Sequence, residues 1–140
     1  MQMTPIIAVH MTAAILAVVT GPVALWARKG TTQATQRPRL HRAFGYAWVT
    51  LMIVTAVSAI FIRDFQLPNL NGYTPIHLLI PVTFTFLVLA FVALARGNIS
   101  THRKNMQRLY LGACVTAGLF TLLPRRYLGD LVLHQWLGLV

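Results

Sequence analysis

Acidic side chains are almost absent from this chain: Asp64 and Asp130 are the only two carboxylate side chains among 140 residues. Neither lies within an apolar segment, so the paired carboxylates of many hydrolases are missing, as are the GxSxG and HExxH motifs. The apolar segments also contain no Asp, Glu or Lys deep inside, which leaves few residues for coupling transport to a cation. These absences disfavour hydrolysis and ion transport.

Cysteine and charged residues are also scarce. The single cysteine, Cys114, allows no disulfide within the chain and lies in an apolar segment, which indicates a buried thiol. Only 10% of the residues are charged, against about 25% in soluble domains. With a mean hydropathy of +0.65, this deficit indicates that lipid surrounds most of the surface. The net charge of +10 lies in loops between apolar segments, so membrane topology explains it and nucleic-acid binding is not expected.

Four apolar segments predict four membrane-spanning helices in a single transmembrane domain that covers residues 1–140. The length of each segment is close to the roughly 20 residues that a helix needs to cross a bilayer. We expect helices at about 5–26, 40–62, 75–95 and 101–123, the last with a polar first turn. The tail, residues 125–140, is amphipathic and predicts a short interfacial helix. The predicted fold is an all-α, up-down-up-down four-helix membrane bundle.

Basic residues in the loops predict how the bundle is oriented. The connections after the first and third segments carry nine of them: Arg28, Lys29, Arg37, Arg39, Arg42, Arg96, Arg103, Lys104 and Arg108. The opposite side carries three: Arg63, Arg125 and Arg126. Because cytoplasmic loops of membrane proteins are enriched in Lys and Arg, we expect a bacterial inner-membrane protein with both termini on the outer side.

Four histidines lie near the ends of the four segments, two at each predicted membrane face. His10 and His77 fall at the outer face, and His41 and His102 at the inner face. Segments one and three are diagonal in such a bundle, as are two and four, so each pair would face across the bundle axis. Two facing neutral imidazoles are the axial ligands of a six-coordinate haem iron. We therefore predict two b-type haems with these four histidines as metal ligands.

Several neighbours of these histidines suit a haem. Arg42 and Arg103 could pair with haem propionates, and Gly45, one turn after His41, would let a flat macrocycle approach. Small residues also follow His10 on one helical stripe: Ala13, Ala14, Ala17 and Gly21. The alternative is that the histidines are solvated interfacial side chains and that the small residues pack helix against helix. His134, in the tail, has no paired partner and is expected to be solvated.

Two short runs resemble a bacterial membrane family. They are HRAFG, beginning at His41, and HRKNMQRLY, beginning at His102. Both resemble the helix-start signatures of the family catalogued as domain of unknown function 2306, over nearly the full length of the chain. Members often carry a tryptophan before the methionine of the second run, where this chain has Asn105. The family implies a membrane protein with histidines opening these two helices, and it implies no activity.

The histidine layout also resembles the core of the cytochrome b-561 type proteins. Those proteins carry two b-type haems, one near each membrane face, held by histidines from alternating helices. This architectural resemblance implies that His10 and His77 hold an outer haem, and His41 and His102 an inner haem. Many members have six helices, whereas four are predicted here.

The leading functional prediction is electron transfer across the membrane by two haems, as in an oxidoreductase of the cytochrome b type. A quinol or another small molecule would be the redox partner, and lipid would contact the apolar surface. The alternative is a small non-catalytic subunit of a larger membrane complex, because such short loops leave no extramembrane domain for separate chemistry. A haem spectrum of the purified chain distinguishes the two hypotheses.

Overall fold

Helices make up most of the chain that the computed structural model describes, which is residues 3–28, 37–65, 68–123 and 127–138. Three long helical segments are α1 (Pro5–Trp26), α2 (Pro38–Phe61) and α3 (Leu79–Ala95), the last preceded by a 3₁₀ turn at Pro75–Leu78. All three are long and apolar enough to cross a membrane. In the described residues, β structure is limited to one isolated bridge between Leu70 and Tyr73.

A fourth helical rod runs from residue 99 to residue 121 and changes helix type in its middle. It consists of α4 (Ile99–Leu109), a π-helical segment (Tyr110–Val115) and α5 (Thr116–Thr121). The polar sequence of α4 explains why three helices, and not four, qualify as candidate spans in the described chain. The tail holds α6 (Tyr127–Asp130) and a second π segment (Leu131–Trp136).

Proline and asparagine explain where the helices begin. Three helical segments have a proline in their first turn: Pro5, Pro38 and Pro75. Backbone N–H groups in the first turn have no hydrogen-bond acceptor within the helix, so the N–H that proline lacks costs no hydrogen bond there. Pro38 thereby starts α2 two residues before the predicted boundary. The side chain of Asn98 accepts the N–H of Thr101 at 3.0 Å, which caps α4 and starts it at Ile99, two residues earlier than expected.

Some predicted features fall on residues that the structure does not describe. The connection between the first two predicted segments lies largely at residues 29–36, and Pro124, the residue that follows the predicted fourth helix, is also outside the described ranges. The same holds for Arg125, Arg126 and residues 139–140, at the two ends of the predicted tail.

The four rods contact one another in cyclic order. α1 packs on α2, α2 on α3 and α3 on α4, and the π segment of the fourth rod returns to α1. Their middle portions supply one buried cluster: Ala17, Trp48, Met52, Leu87, Leu109, Ala113 and Cys114. This central core includes a sulfur–sulfur contact of 3.5 Å between Cys114 and Met52.

Large apolar side chains outside this core face outward. Val19, Val88 and Leu119 are 60%, 60% and 65% exposed. Only about a fifth of each candidate span is buried within the chain itself, from 17% to 22%. Contiguous apolar surface of this extent is rare on soluble monomers, because its exposure to water costs free energy. The surface is therefore one that lipid solvates.

Small residues let α1 approach its neighbours closely. The buried residues of α1 are Ala13, Ala17, Gly21 and Ala24. A Cβ atom added at Gly21 would lie 2.5 Å from the ring of Tyr110 and 2.9 Å from Trp48 Nε1. The Tyr110 hydroxyl donates to the carbonyl of Val18 at 3.0 Å, so the ring cannot move without straining that bond. Helix packing therefore accounts for this part of the small-residue stripe.

Gly21→Ala should destabilise the fold by about 1–3 kcal/mol, because the new methyl group overpacks the contact with Tyr110. The matched control is Gly118→Ala, where an added Cβ meets nothing within 4 Å and helix propensity should raise stability slightly. Thermal unfolding in detergent measures both. Equal or higher stability of Gly21→Ala relative to Gly118→Ala would contradict this packing.

Candidate functional site

Two cavities border the central core, and each contains two of the four histidines. His10 and His77 line a cavity of about 260 Å³, named the outer cavity for its predicted membrane face. His41 and His102 line a cavity of about 910 Å³, named the inner cavity. The structure thus places together the two members of each pair that the sequence predicts to meet.

The two inner histidines are held in the same way. His41 Nδ1 lies 2.8 Å from the carbonyl oxygen of Ala24, and His102 Nδ1 lies 2.9 Å from that of Ala90. Because a carbonyl oxygen only accepts, each Nδ1 carries the proton, and each neutral ring keeps its lone pair on Nε2. Neither Nε2 has a hydrogen bond within the described chain. Metal-ligating histidines show this arrangement, with one ring nitrogen bonded to the protein and the other open.

The wall of the inner cavity contains both basic and aromatic residues. Its charged residues are Arg28, Arg42 and Arg103, and its aromatic residues are Trp26, Tyr46, Trp48, Phe91 and Tyr110. Gly45 also lines it, and a Cβ atom added there would meet nothing within 4 Å. Arg42, Arg103 and Gly45 therefore all border the same space as the two histidines.

Trp48 is a candidate site residue that the sequence analysis missed. It is only 4% exposed, yet its indole Nε1 is buried without a conventional hydrogen bond in the described structure. The Cys114 sulfur, a weak acceptor, is its polar neighbour. Its ring lies 6.4 Å from that of Tyr110. Trp48 follows His41 by seven residues, two helical turns on the same face, and this spacing was the available signal.

In the outer cavity, His10 resembles the inner histidines. Its Nδ1 donates to the carbonyl of Thr55 and to Ser58 Oγ, each at 3.0 Å. Ser58 Oγ accepts that proton while donating its own to the carbonyl of Val54 at 2.7 Å. Nε2 of His10 therefore holds the lone pair, and it has no hydrogen bond in the described part of the chain. No local sequence pattern indicates Thr55 and Ser58 as partners, because they lie on another helix.

His77 differs from the other three because both its ring nitrogens are engaged. Nδ1 accepts the backbone N–H of Thr74 at 3.1 Å, so the proton must be on Nε2, which donates to the carbonyl of Ile62 at 2.9 Å. The ring also meets the edge of Tyr73 at 5.1 Å between centroids. His77 thus joins the end of α2 to the turn that opens α3. Metal ligation by His77 would require at least one of these bonds to break.

The loop between α2 and α3 contributes Ile62 and Asp64 to the lining of the outer cavity. The backbone N–H of Asp64 donates to the carbonyl of Gly72 at 2.9 Å, and the Asp64 side chain is 6% exposed and lines the cavity. The Arg63 guanidinium lies 4.9 Å above the Tyr73 ring and donates to the carbonyl of Asn71 at 2.9 Å. These contacts fix the loop that supplies the partners of His77.

The donor set constrains which metal sites are available. In the described ranges, no three His, Cys, Asp or Glu side chains come together. A haem brings four nitrogens of its own and needs only two further ligands. His134 is exposed in the second π segment, as expected of a solvated residue.

These observations define a helical membrane protein with paired histidines at two cavities. A family model described as "Predicted membrane protein (DUF2306)" matches residues 7–140, and the chain belongs to this family. The resemblance carried by the HRAFG and HRKNMQRLY runs is thereby confirmed. A search of curated proteins and a search of solved structures each found no match. The likeness to cytochrome b-561 type proteins stays an architectural prediction.

His77→Ala should lower the free energy of unfolding by about 1–3 kcal/mol, because it removes the partners of both the Thr74 N–H and the Ile62 carbonyl. His134→Ala, at an exposed position, is the control and should stay within about 0.5 kcal/mol of the wild type. Chemical denaturation in detergent measures the difference. If both variants unfold alike, His77 does not hold the loop to α3.

Proposed function

We propose that the protein is a b-type haem-binding membrane protein that transfers electrons, with the inner cavity as its main haem site. This proposal rests on one observation, which is that His41 and His102 have the same hydrogen-bonding arrangement. Both line one cavity, and both bond Nδ1–H to a backbone carbonyl of a neighbouring helix and keep the Nε2 lone pair open. Solvated interfacial histidines would have no reason to share this arrangement.

The residues around the inner cavity fit such a group. Its volume of about 910 Å³ lies within the roughly 300–1,000 Å³ of cofactor and ligand pockets. His41 and His102 would be the axial ligands, and the Ala24 and Ala90 carbonyls would orient the rings and raise their basicity. The guanidinium groups of Arg42 and Arg103 would pair with the propionates. A haem bound there supplies one-electron chemistry.

The outer pair supports the second predicted haem less strongly. The outer cavity of about 260 Å³ falls below the usual size range of cofactor pockets, about 300 Å³ and above. His10 offers an open Nε2, but His77 would have to give up its bond to Ile62 or to Thr74. The two-haem arrangement therefore stays a prediction, and one inner haem per chain is the stoichiometry we propose.

The contacts between rods support an up-down-up-down bundle in which the fourth rod is the fourth span. His10, early in α1, bonds to Thr55, late in α2, whereas His41, at the start of α2, bonds to Ala24 near the end of α1. These helices are therefore antiparallel. From His10 to Ala24 the rise is roughly 21 Å at 1.5 Å per residue, so the two histidine pairs lie at depths separated by most of a bilayer core.

Haem binding is tested by expressing the protein with haem supplied and recording reduced-minus-oxidised spectra. We expect the bands of a low-spin bis-imidazole haem and about one haem per chain. His41→Ala and His102→Ala should each lose the low-spin spectrum, because each removes one of two axial ligands.

His134→Ala is the matched control and should keep the wild-type spectrum, since this residue is exposed in the tail. Two haems per chain, one of them lost on His10→Ala, would instead support the dihaem arrangement. A colourless wild-type protein would overturn the proposal and leave a non-catalytic subunit of a larger complex as the alternative.

The proposed orientation places both termini outside the cytoplasm of a bacterial inner membrane. Alkaline phosphatase, which is active only outside the cytoplasm, should therefore be active when fused after Val140 and inactive when fused after Gly97, in the connection between α3 and α4. The physical reason is the excess of Lys and Arg in the inner connections. Activity at Gly97 together with inactivity at Val140 would show that the orientation is reversed.

A further inference from the structure

We propose that the outer cavity binds a small, uncharged, lipid-soluble ring that carries a hydroxyl group, such as the headgroup of a phenol or hydroquinone, with His10 Nε2 as its hydrogen-bond acceptor. The inference goes beyond the proposed function because it assigns a ligand of its own to this cavity. The inference rests on the proposed function in one respect, which is that the single proposed haem lies in the inner cavity and the outer cavity contains none.

One ring nitrogen of a lining residue lacks a partner. His10 lines the cavity, and its Nε2 holds a lone pair and has no hydrogen bond in the described chain, because the proton of the ring is on Nδ1. An unmet hydrogen-bonding group in apolar surroundings costs free energy, which a ligand with a hydroxyl would recover.

A hydroxyl group suits this nitrogen because its O–H can donate to the lone pair of His10 Nε2. A carbonyl group only accepts, so a carbonyl compound would leave that lone pair unmet. A carboxylate is disfavoured because Asp64 is the one charged side chain on the described wall, and it is acidic.

The rest of the wall selects an apolar ring. It includes Ile7, Met11, Ile15, Val18, Ile80 and Phe120. The cavity volume is about 260 Å³, and an apolar cavity of about 150 Å³ holds a benzene molecule, so one substituted ring fits. Water is a poor occupant because a buried water needs two to four polar partners. A lipid acyl chain would fill the volume and leave the His10 lone pair unmet.

The cavity is reached from the lipid side of the protein. Ile15 and Val18 line it and are also 48% and 41% exposed on the outer surface of α1. In a bilayer that surface faces the hydrocarbon region, so a ligand dissolved in the membrane would enter without crossing the aqueous phase. The ligand is therefore lipid-soluble.

The test uses the full-length protein in lipid nanodiscs, with 2,3,5-trimethylphenol as the probe and its methyl ether as a matched compound that cannot donate. Binding is measured by isothermal titration calorimetry, with empty nanodiscs titrated in parallel to subtract partition into lipid. We expect saturable binding of the phenol, and at least about fivefold weaker binding of the ether because one hydrogen bond is lost.

Two variants locate the site. His10→Phe keeps a ring but removes Nε2, so it should weaken phenol binding about fivefold. Thr55→Val removes a buried Oγ1 that has no bond in the described structure and that the cavity does not reach, so this variant should fold normally and, like His134→Phe, leave phenol binding unchanged. Equal affinities for the phenol and the ether would show that the ligand only fills apolar volume, without a hydrogen bond to His10, and would overturn the proposal. Phenol binding no stronger than in empty nanodiscs would overturn it as well.

The outcome is separable from that of the haem proposal. His41→Ala removes an inner ligand but lies in the other cavity, so its protein should bind the phenol as the wild type does, with or without haem. A protein that binds two haems and no phenol would overturn this inference while sustaining haem binding. A colourless protein that binds the phenol would overturn the haem proposal alone.

Discussion

A neutral imidazole in apolar surroundings must place its N–H on an acceptor, and in this protein the acceptors are backbone carbonyls of neighbouring helices. His10 bonds to Thr55, His41 to Ala24 and His102 to Ala90. Each bond links two rods, and the bond to Ala24 also occupies a carbonyl in the last turn of α1, where carbonyls have no partner within the helix. The same bond fixes the tautomer and leaves the lone pair on Nε2, without a hydrogen bond in the described chain. Helix packing and ligand chemistry therefore depend on one interaction.

The two cavities use this interaction differently. In the inner cavity, both histidines keep an open Nε2, and the cavity is large and bordered by arginine. In the outer cavity, both ring nitrogens of His77 hold the loop to α3, and the cavity is smaller and almost wholly apolar. These differences are the basis on which we propose a haem for the inner cavity and a small uncharged ring for the outer cavity.

Much of the fold was predictable from the sequence, because long apolar runs and proline at helix starts are local signals. The helix Pro5–Trp26 has the predicted bounds, and the third segment spans Pro75–Ala95 as expected. The pairing of histidines within cavities also followed from the order of the helices. Family membership was readable from the two runs that begin at His41 and His102.

Other features depend on contacts between distant residues, which no local pattern encodes. The hydrogen bond of His77 Nε2 requires the carbonyl of Ile62, fifteen residues earlier, and the folded loop between these two residues. The hydrogen bonds of His10 to α2 have no sequence signal either. The π-helical segment at Tyr110–Val115 has ordinary helical composition, and its position shows only in its contacts with α1. The spacing of Trp48, two helical turns after His41, could have indicated from the sequence that both residues lie on the same face of the helix.

The central claim, that His41 and His102 jointly ligate one haem in the inner cavity, is tested most directly by a cavity variant with an added ligand. Electron paramagnetic resonance of ferric His41→Gly should show a high-spin haem that becomes low-spin when free imidazole is added, because imidazole replaces the deleted side chain. The account predicts this switch, with His102 still bound. A low-spin signal in His41→Gly without imidazole, or no haem in the wild-type protein, would contradict it.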